Sequence, residues 1–382
     1  MATDDPRAAT NPLFNDNKFK LGTFATNVSN GAAITTVDGV FETTWPNVIK
    51  LAKIADEAGI EAIVPVARWR GFGGETNFNG TCFETYTWAA GLGSVARHAA
   101  IFATSHVPTV HPILAAKQAT TIDHITNGRF ALNIVCGWFQ PEMEMFGRPI
   151  MEHEKRYEYA TEWLSIAKRL WTDEKEWDFE GEFFKVNRGF HMPKPIQRPG
   201  PVLMNAGGSP TGKHYAAKHC DIAFILITSH DDETTRREIA AYRELARNEY
   251  QRDIQVWTNS YCCIGDTEKE ARDFVDYYVY QKGDWVAVDN IAKGIGVQTE
   301  MMSKEAVEAF KYHFIAGWGG YPLVGSADQV ADKIANLSRL GLDGTLLNFA
   351  RYEEQLTRFT KEVIPRLEAK GLRKPFKTRA AA

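Results

Sequence analysis

The stretch NGRFALNIVCGWFQPEMEMFGRPIMEHEKRY, residues 127–157, decides the fold that we predict for this chain. It begins with Asn127 and Gly128, which end a helix because both residue types tolerate a positive φ. Phe130–Val135 has the length and the β-branched content of a buried strand. Within it, the Asn133 amide must find partners or destabilise the fold. The aromatic and acidic loop that follows the strand is typical of barrel enzymes, whose chemistry lies beyond the carboxyl ends of the strands.

Similar units of strand, loop and helix precede and follow this stretch, which predicts parallel βα units. The strand candidates are residues 20–25, 62–66, 99–104, 130–135, 202–205, 221–227, 254–264 and 344–349. Eight strands are the number of a closed (β/α)8 TIM barrel. An open, doubly wound sheet is the alternative, although no GxGxxG motif follows the first strand as a dinucleotide-binding fold would require.

The domain organisation predicted from these patterns is one barrel with extensions and insertions. Residues 1–17 are expected to form an N-terminal arm, residues 18–370 the barrel, and residues 371–382 a C-terminal tail. Insertions are expected near 136–156, 172–201 and 283–320. The second contains a candidate hairpin at 177–186, and the third could cover the site as a lid.

Composition excludes several classes of function. The chain has 382 residues, and its 44 basic and 48 acidic side chains give a net charge of −4, which provides no nucleic-acid footprint. Five cysteines without CxxC spacing predict neither a disulfide framework nor a zinc site. Ten histidines without HExxH spacing give no metal signature. Without a signal peptide or a membrane-length apolar run, a cytoplasmic protein is expected.

Loops that follow strands carry the candidate site residues. The segment NAGGS at 205–209 combines free backbone N–H groups at a helix start with small residues, a combination that favours an anion site. Arg156 could add a bidentate phosphate contact, or it could be a surface helix residue. His106 and His111 could be satisfied structural histidines, and Cys136 a buried, inert thiol. The glycine-rich RGFGG at 70–74 could be a simple turn. The residues alone therefore predict a barrel enzyme with a phosphate-bearing ligand.

Four motifs give the chain a resemblance to a known family. They are RGFGG at 70–74, AAKQATTIDHITNGRFALNIVCGW at 115–138, the pair Arg156-Tyr157, and AGGS at 206–209. With them, nearly the whole chain resembles the bacterial luciferase-like family of flavin-dependent monooxygenases. The RGFGG loop is similar to the pyrimidine monooxygenase branch. NVSNG at 27–31, NIVCGWF at 133–139 and EHEKRY at 152–157 are equally similar to the dimethylsulfone monooxygenase branch.

This resemblance implies a two-component enzyme that inserts one oxygen atom of O2 into a small polar substrate, an N-heterocycle or amide of the pyrimidine type. Reduced FMN would come from a separate NAD(P)H:flavin reductase, and a homodimer or homotetramer is expected. Three alternatives remain open: a sulfone or alkanesulfonate monooxygenase, a deazaflavin-dependent oxidoreductase, and a non-catalytic flavin-binding protein.

The resemblance also implies residue roles. The catalytic pair, which would hold O2 beside flavin N5 and favour an N5 peroxide, is Thr104 and Asn133. The cofactor-binding residues would be Ala67, Arg68, Asn133 and Glu142 at the isoalloxazine, and Arg156, Tyr157, Gly208 and Ser209 at the phosphate. The substrate contacts would be Arg70, His106, Cys136 and Trp138. The chain differs from the pyrimidine branch by having Arg68, which is bulkier and always charged, in place of a Lys. Together, Arg68, Arg70 and His106 would favour a ligand with an anionic, carbonyl or sulfonyl oxygen.

Overall fold

A computed structural model describes residues 5–227, 229, 231–297 and 301–376. The strands, numbered along the chain, are β1 Lys20–Phe24, β2 Ala62–Val64, β3 Ala100–His106, β4 Phe130–Val135, β5 Trp177–Glu180, β6 Lys185–Gly189, β7 Val202–Asn205, β8 Ile222–Ile225, β9 Gln255–Ile264, β10 Tyr321–Gly325 and β11 Gly344–Asn348.

Eight of these strands close into a parallel barrel in the order β1-β2-β3-β4-β7-β8-β9-β11, and β11 pairs back with β1. The closing register places Leu21 opposite Thr345. Between β3 and β4, Thr104 lies directly opposite Asn133. The predicted (β/α)8 barrel is confirmed, because a closed ring of parallel strands excludes an open sheet.

Helices lie around the outer face of this barrel and, in its insertions, at its carboxyl end. They are α1 Trp45–Glu57, α2 Thr85–Gly93, α3 Pro112–Ile125, α4 Gln140–Met145, α5 His153–Thr172, α6 Pro210–His219, α7 Asp232–Tyr250, α8 Glu268–Asp276, α9 Trp285–Gly294, α10 Lys304–Gly317, α11 Ala327–Leu340, α12 Tyr352–Arg358 and α13 Ile364–Ala369. Helix α11 illustrates how local sequence sets their bounds. It begins at a capping box between Ser326 and Gln329 and ends at Gly341, whose φ is 112°.

The alternation of side chains along the strands determines which residues enter the barrel. Phe102 and Trp257 belong to one buried cluster inside the barrel, which is a packed core rather than a channel. Because successive side chains point to opposite faces, Thr104 and His106 lie on the same face of β3 as Phe102. Strand β3 runs two residues beyond the predicted end at 104, so it includes His106.

The three predicted insertions carry regular structure. Residues 136–156 contain α4, residues 172–201 contain the antiparallel hairpin of β5 and β6, and residues 283–320 contain α9 and α10. Strand β10 follows the last of these and was not predicted. It pairs in parallel with the second half of β9, placing Leu323 opposite Cys262, whereas β8 pairs with the first half. Residues 298–300 of the predicted third insertion lie outside the described residues.

Residues 5–17 of the expected arm lie against the barrel. The Arg7 guanidinium forms an ion pair of 2.9 Å with Asp221, and Leu13 is fully buried. Residues 1–4 of this arm and residues 377–382 of the expected tail are outside the described part of the chain. The division into arm, barrel, insertions and tail remains a prediction. None of the helices in the described ranges has the length and apolar character needed to cross a membrane.

Candidate active site

A cavity of about 800 Å³ lies at the carboxyl ends of the barrel strands. Its walls come from the carboxyl end of β3, from the loops that follow β2, β4 and β7, and from α5 and α9. Eleven of the sequence-predicted site residues line it: Ala67, Arg68, Thr104, His106, Asn133, Cys136, Trp138, Arg156, Tyr157, Gly208 and Ser209. Residues that are distant in sequence are brought together here because parallel strands present their carboxyl ends at one rim.

Thr104 and Asn133 form a hydrogen-bonded pair in the cavity wall. The Asn133 Nδ2 atom donates to Thr104 Oγ1 over 3.3 Å, and the Thr104 hydroxyl donates to the Pro65 carbonyl over 2.7 Å. A hydroxyl has a single hydrogen, so Thr104 has none left for a ligand in this arrangement. The Asn133 amide keeps its second N–H, and its Oδ1 atom is buried without a hydrogen-bond partner within the described ranges. Asn133 is therefore the available polar group of this pair.

Arg68 forms a cationic wall held by aromatic rings. Its guanidinium carbon lies 4.6 Å from the centre of the Phe72 ring, 5.3 Å from Trp138 and 5.7 Å from Phe139. Burial lowers the pKa of Arg68, and the neighbouring Glu142 carboxylate raises it. Arginine keeps its charge even so, because its ordinary pKa is above 12. The wall thus presents a fixed positive charge in an aromatic setting.

Glu142 lies behind this wall, outside the residues that line the cavity. It is completely buried in the first turn of α4. Its Oε1 atom accepts hydrogen bonds from Arg68 Nη1 at 3.2 Å and from the Trp69 backbone N–H at 2.7 Å. Its Oε2 atom is 3.5 Å from His106 Nδ1, but the two atoms do not form a hydrogen bond. In this arrangement the predicted flavin neighbour Glu142 fixes Arg68.

His106 contributes an uncharged ring to the cavity. Burial, together with the positive charge of Arg68, lowers the pKa of His106 to about 3. At neutral pH the imidazole is therefore neutral and can both accept and donate one hydrogen bond. Burial also raises the pKa of Cys136 to about 12, so this residue carries a thiol and not a nucleophilic thiolate.

The opposite end of the cavity has the features of an anion site. Arg156 Nη1 donates to the Gly137 carbonyl over 2.8 Å, whereas its buried Nε has no partner among the described residues. Ser209 caps the N-terminus of α6, and a Cβ atom added at Gly208 would meet open space. A helix N-terminus next to a glycine and an arginine is suited to binding a phosphate group. Tyr157 lines the same end.

One predicted substrate residue, Arg70, does not line the cavity and has an exposed side chain. Its contact with the site is made by its backbone N–H, which donates to Glu142 over 3.3 Å. The sequence analysis also missed cavity residues, among them Lys293, Ile295 and Trp318. They belong to the third insertion, where no strand or glycine motif indicates a site. Within the described ranges, no group of three His, Cys, Asp or Glu side chains could hold a metal ion.

Comparisons with known proteins identify the class that this barrel and cavity define. The family model described as luciferase-like monooxygenase matches residues 19–344. The chain belongs to the luciferase-like monooxygenase family. The sequence analysis predicted this family and, as the enzyme class, a flavin-dependent monooxygenase. Both predictions are confirmed.

Two curated relatives and one solved structure illustrate the similarity. The chain is 30% identical over 327 residues to the pyrimidine monooxygenase RutA of Acinetobacter baylyi, covering 83% of this chain and 86% of the relative. It is 28% identical over 355 residues to the FMNH2-dependent dimethylsulfone monooxygenase of Pseudomonas putida, covering 91% and 94%. The crystal structure of DmoA from Hyphomicrobium sulfonivorans has a TM-score of 0.81 and 20% identity, covering 94% of this chain and 90% of that one. At that identity the structural likeness shows the fold alone.

Proposed function

We propose that this chain is the oxygenase of a two-component system, which uses reduced FMN and O2 to insert one oxygen atom into a small polar substrate of the N-heterocycle or amide type. The observation that carries this proposal is the form of the cavity. One continuous space joins an anion-binding end at Arg156 and Ser209 to a buried polar end at Thr104 and Asn133. The anion-binding end suits the phosphate of a cofactor, and the buried polar end suits a small reacting molecule.

The residues present fit FMN. Open space at Gly208 and the unpartnered Nε of Arg156 suit the phosphate, and the buried, unpartnered Asn133 Oδ1 suits a polar edge of the ring system. None of the lining residues in the described part of the chain is Asp or Glu, so no carboxylate would repel the phosphate. The predicted cofactor, reduced FMN used with O2, is confirmed by this family relationship. Arg156, Tyr157, Gly208 and Ser209 would hold it.

When bound, reduced FMN supplies two electrons, so that one oxygen atom of O2 enters the substrate and the other leaves as water. The side chains of the chain itself provide binding, orientation and exclusion of water. The second N–H of Asn133 can donate to a group that becomes negative during the reaction. Thr104 orients that amide through its own hydrogen bond. Trp138 and Ile295 add apolar surface to the cavity wall, and apolar walls disfavour water next to the reacting atoms.

The substrate chemistry is proposed from the charge of the walls. Arg68 and Lys293 line the cavity in addition to Arg156. Positive groups and the neutral His106 ring favour a substrate that bears a carbonyl or another acceptor oxygen. Cyclic amides carry such an oxygen, and the name of the RutA relative refers to pyrimidines, a class in which members such as uracil are cyclic amides. A sulfone or alkanesulfonate is the second candidate, because the same cations suit sulfonyl oxygens and the dimethylsulfone relative matches more of the chain.

The proposed partners follow from the cofactor and from the surface. A separate NAD(P)H:flavin reductase would supply the reduced FMN. Five free cysteines are compatible with a reducing compartment, and we place the protein in the cytoplasm. We also propose a homodimer or homotetramer that covers exposed apolar side chains at the end of α3 and in the segment after β6, namely Ile125, Phe190, Met192 and Ile196. Light scattering at micromolar concentration tests this, and a monomer would refute it.

An isotope experiment tests the reaction itself. The enzyme is incubated with FMN, NADH, a generic flavin reductase and 18O2, and N-heterocycles, amides and sulfones are screened by mass spectrometry. We expect one 18O atom in the product of an N-heterocycle or amide. Incorporation only into sulfones would favour the second candidate, and absence of label from every product would contradict the proposal.

Two further alternatives are separated by binding and by oxygen consumption. A deazaflavin-dependent oxidoreductase would bind the deazaflavin in a titration and would not bind FMN. A non-catalytic flavin-binding protein would bind FMN without substrate-dependent O2 consumption in the presence of the reductase. We expect FMN binding together with such consumption.

A further inference from the structure

A second cavity of about 300 Å³ adjoins the main one at the end of β3. Four residues line both cavities: Ala67, Arg68, Thr104 and His106. Ser105 lies between Thr104 and His106 and therefore points to the opposite, outer face of the barrel wall. The second cavity, which we call the side cavity, lies on this outer side, against residues of α2 and α3 such as Tyr86 and Gln118. The two spaces meet where the predicted oxygen chemistry takes place.

Three buried polar atoms of the side cavity have no hydrogen-bond partner within the described residues: Tyr86 Oη, Ser105 Oγ and Gln118 Oε1. Tyr86 is 4% exposed and Ser105 is 2% exposed. Burial raises the pKa of Tyr86 and the neighbouring Ser105 hydroxyl lowers it, but the two oxygens do not form a hydrogen bond of normal geometry. Buried polar groups are normally paired, and each unpaired one destabilises a protein. Three such atoms in one small space are available to form hydrogen bonds with a ligand.

The two charged side chains that line the side cavity, Glu84 and Arg68, already have partners. The Glu84 carboxylate lines it but is engaged as the N-cap of α2, accepting from the backbone N–H groups of Tyr86 and Thr87 at 2.9 and 2.8 Å. Arg68 is paired with Glu142. The remaining wall includes apolar side chains, Phe83, Val110 and Leu114. A neutral group with an apolar body is therefore the complementary ligand.

We propose that the side cavity is a substrate subsite that binds a neutral amide, lactam or ureide group. The hydroxyls of Tyr86 and Ser105 would donate to its carbonyl oxygen, and Gln118 Oε1 would accept from its N–H. This inference rests on the proposed function, in which the reacting end of the same molecule lies beside Thr104 and Asn133. It goes further because it assigns the part of the substrate that determines specificity and the residues that recognise it.

The first test fills the entrance of the side cavity. Leu114→Trp enlarges a residue that lines the side cavity, and Ile113→Trp enlarges its exposed neighbour, which lines neither cavity. Uracil, 2-pyrrolidone and acetamide are titrated into the FMN-loaded protein by calorimetry. We expect at least tenfold weaker binding in Leu114→Trp, unchanged binding in Ile113→Trp, and unchanged FMN affinity in both. Equal effects of the two variants, or no binding of any of the three probes to the wild type, would overturn the subsite.

The second test examines the hydrogen bonds. N-methyl-2-pyrrolidone lacks the N–H of 2-pyrrolidone. The wild type should therefore bind N-methyl-2-pyrrolidone at least fivefold more weakly than 2-pyrrolidone. Gln118→Leu should bind the two compounds with equal affinity. Tyr86→Phe and Ser105→Ala should each weaken binding of 2-pyrrolidone about fivefold without lowering the melting temperature, since the removed hydroxyls are unpaired in the free protein. A loss of more than about 4 °C would show that the hydroxyls are already satisfied, by water for example, and would overturn the proposal.

These titrations use oxidised FMN and involve no turnover. The inference and the proposed function can therefore fail separately. Lactam binding that depends on the side cavity, without labelled product in the 18O2 assay, would remove only the proposed function. Labelled product without such binding would remove only the subsite.

Discussion

Two completely buried glutamates at opposite ends of the barrel show how differently the fold uses the same side chain. Glu61 immediately precedes β2 at the amino end, and Glu142 lies in α4 beyond the carboxyl end of β4. Each forms an ion pair with a buried arginine, Glu61 with Arg373 at 2.7 Å and Glu142 with Arg68 at 3.2 Å. On burial and charge alone the two carboxylates are equivalent.

They differ in how completely they are hydrogen-bonded. Both oxygens of Glu61 are satisfied, by Asn15, Asn17, the Leu21 backbone N–H and Arg373. Burial raises the pKa of Glu61, whereas Arg373 and these hydrogen bonds lower it by a larger amount. The pKa of Glu61 is therefore below its ordinary value. The Oε2 atom of Glu142 has no partner within the described part of the chain.

This difference indicates which end of the barrel stabilises the fold and which end is arranged for a ligand. A fully paired buried carboxylate fixes the amino end, where Arg373 ties the C-terminal segment to β2. At the carboxyl end, Asn133 Oδ1, Arg156 Nε and Glu142 Oε2 remain unpaired in the part of the chain that the structure describes. Unpaired buried polar groups destabilise the free protein and are preorganised for a ligand. We therefore expect substitutions at the amino end to affect stability and those at the carboxyl end to affect function.

The largest effect should come from Glu61→Ala. Removing one partner of a buried ion pair leaves Arg373 uncompensated, which should reduce the free energy of unfolding by about 3–5 kcal/mol. Urea unfolding measures this. The control is Glu180→Ala, which breaks an exposed pair with Lys185 and should cost less than about 1 kcal/mol. Similar decreases in the free energy of unfolding of both variants would show that the buried pair at the amino end has no special role in stability.

Asn133→Ala should affect the reaction and leave stability nearly unchanged. Loss of a preorganised donor of this kind typically lowers the rate about 10²–10³-fold. Single-turnover assays with reduced FMN measure the rate, and a titration measures FMN affinity. We expect FMN binding to persist. If the variant instead loses FMN binding, Asn133 acts only in cofactor binding. If its free energy of unfolding falls as much as that of Glu61→Ala, the two ends of the barrel contribute equally to stability.

Arg156→Ala should weaken FMN binding at least tenfold, since a hydrogen bond to a charged group contributes about 1.5–3 kcal/mol. Its neighbour Lys155 supplies the matched control, because it is exposed and forms surface ion pairs with Glu158 and Glu182. Lys155→Ala should leave the FMN dissociation constant unchanged. Unaltered FMN affinity in Arg156→Ala would place the phosphate elsewhere.

The smallest effect is expected from Arg70→Ala. Its side chain is exposed and lies outside both cavities, so the free energy of unfolding should change by less than about 0.5 kcal/mol. The KM for the substrate found in the 18O2 screen should change less than twofold. A larger KM change would show that the loop of Arg70 contributes to substrate binding, as the sequence analysis predicted for Arg70.

Local sequence predicted much of the frame of the site. The apolar run of Phe130–Val135 identified β4, and parallel pairing placed Asn133 next to Thr104, as the structure shows. The segment at 206–209 predicted the start of α6, which Ser209 caps in the structure. A strand pattern and a helix start are each defined by a few consecutive residues. They depend on local backbone hydrogen bonding and on which face of a single element is buried, so the sequence alone predicts them.

The tertiary structure alone decided the rest. Arg68 and Arg70 follow the same strand two residues apart, yet one is buried against Glu142 and the other is exposed. Strand β10, the cavity wall at Lys293 and the side cavity at Ser105 were equally invisible in the sequence. Loops have no repeating pattern of side-chain direction. Which loop residues are buried, and which of their polar atoms remain unpaired, depends on distant segments that only the closed barrel brings into contact.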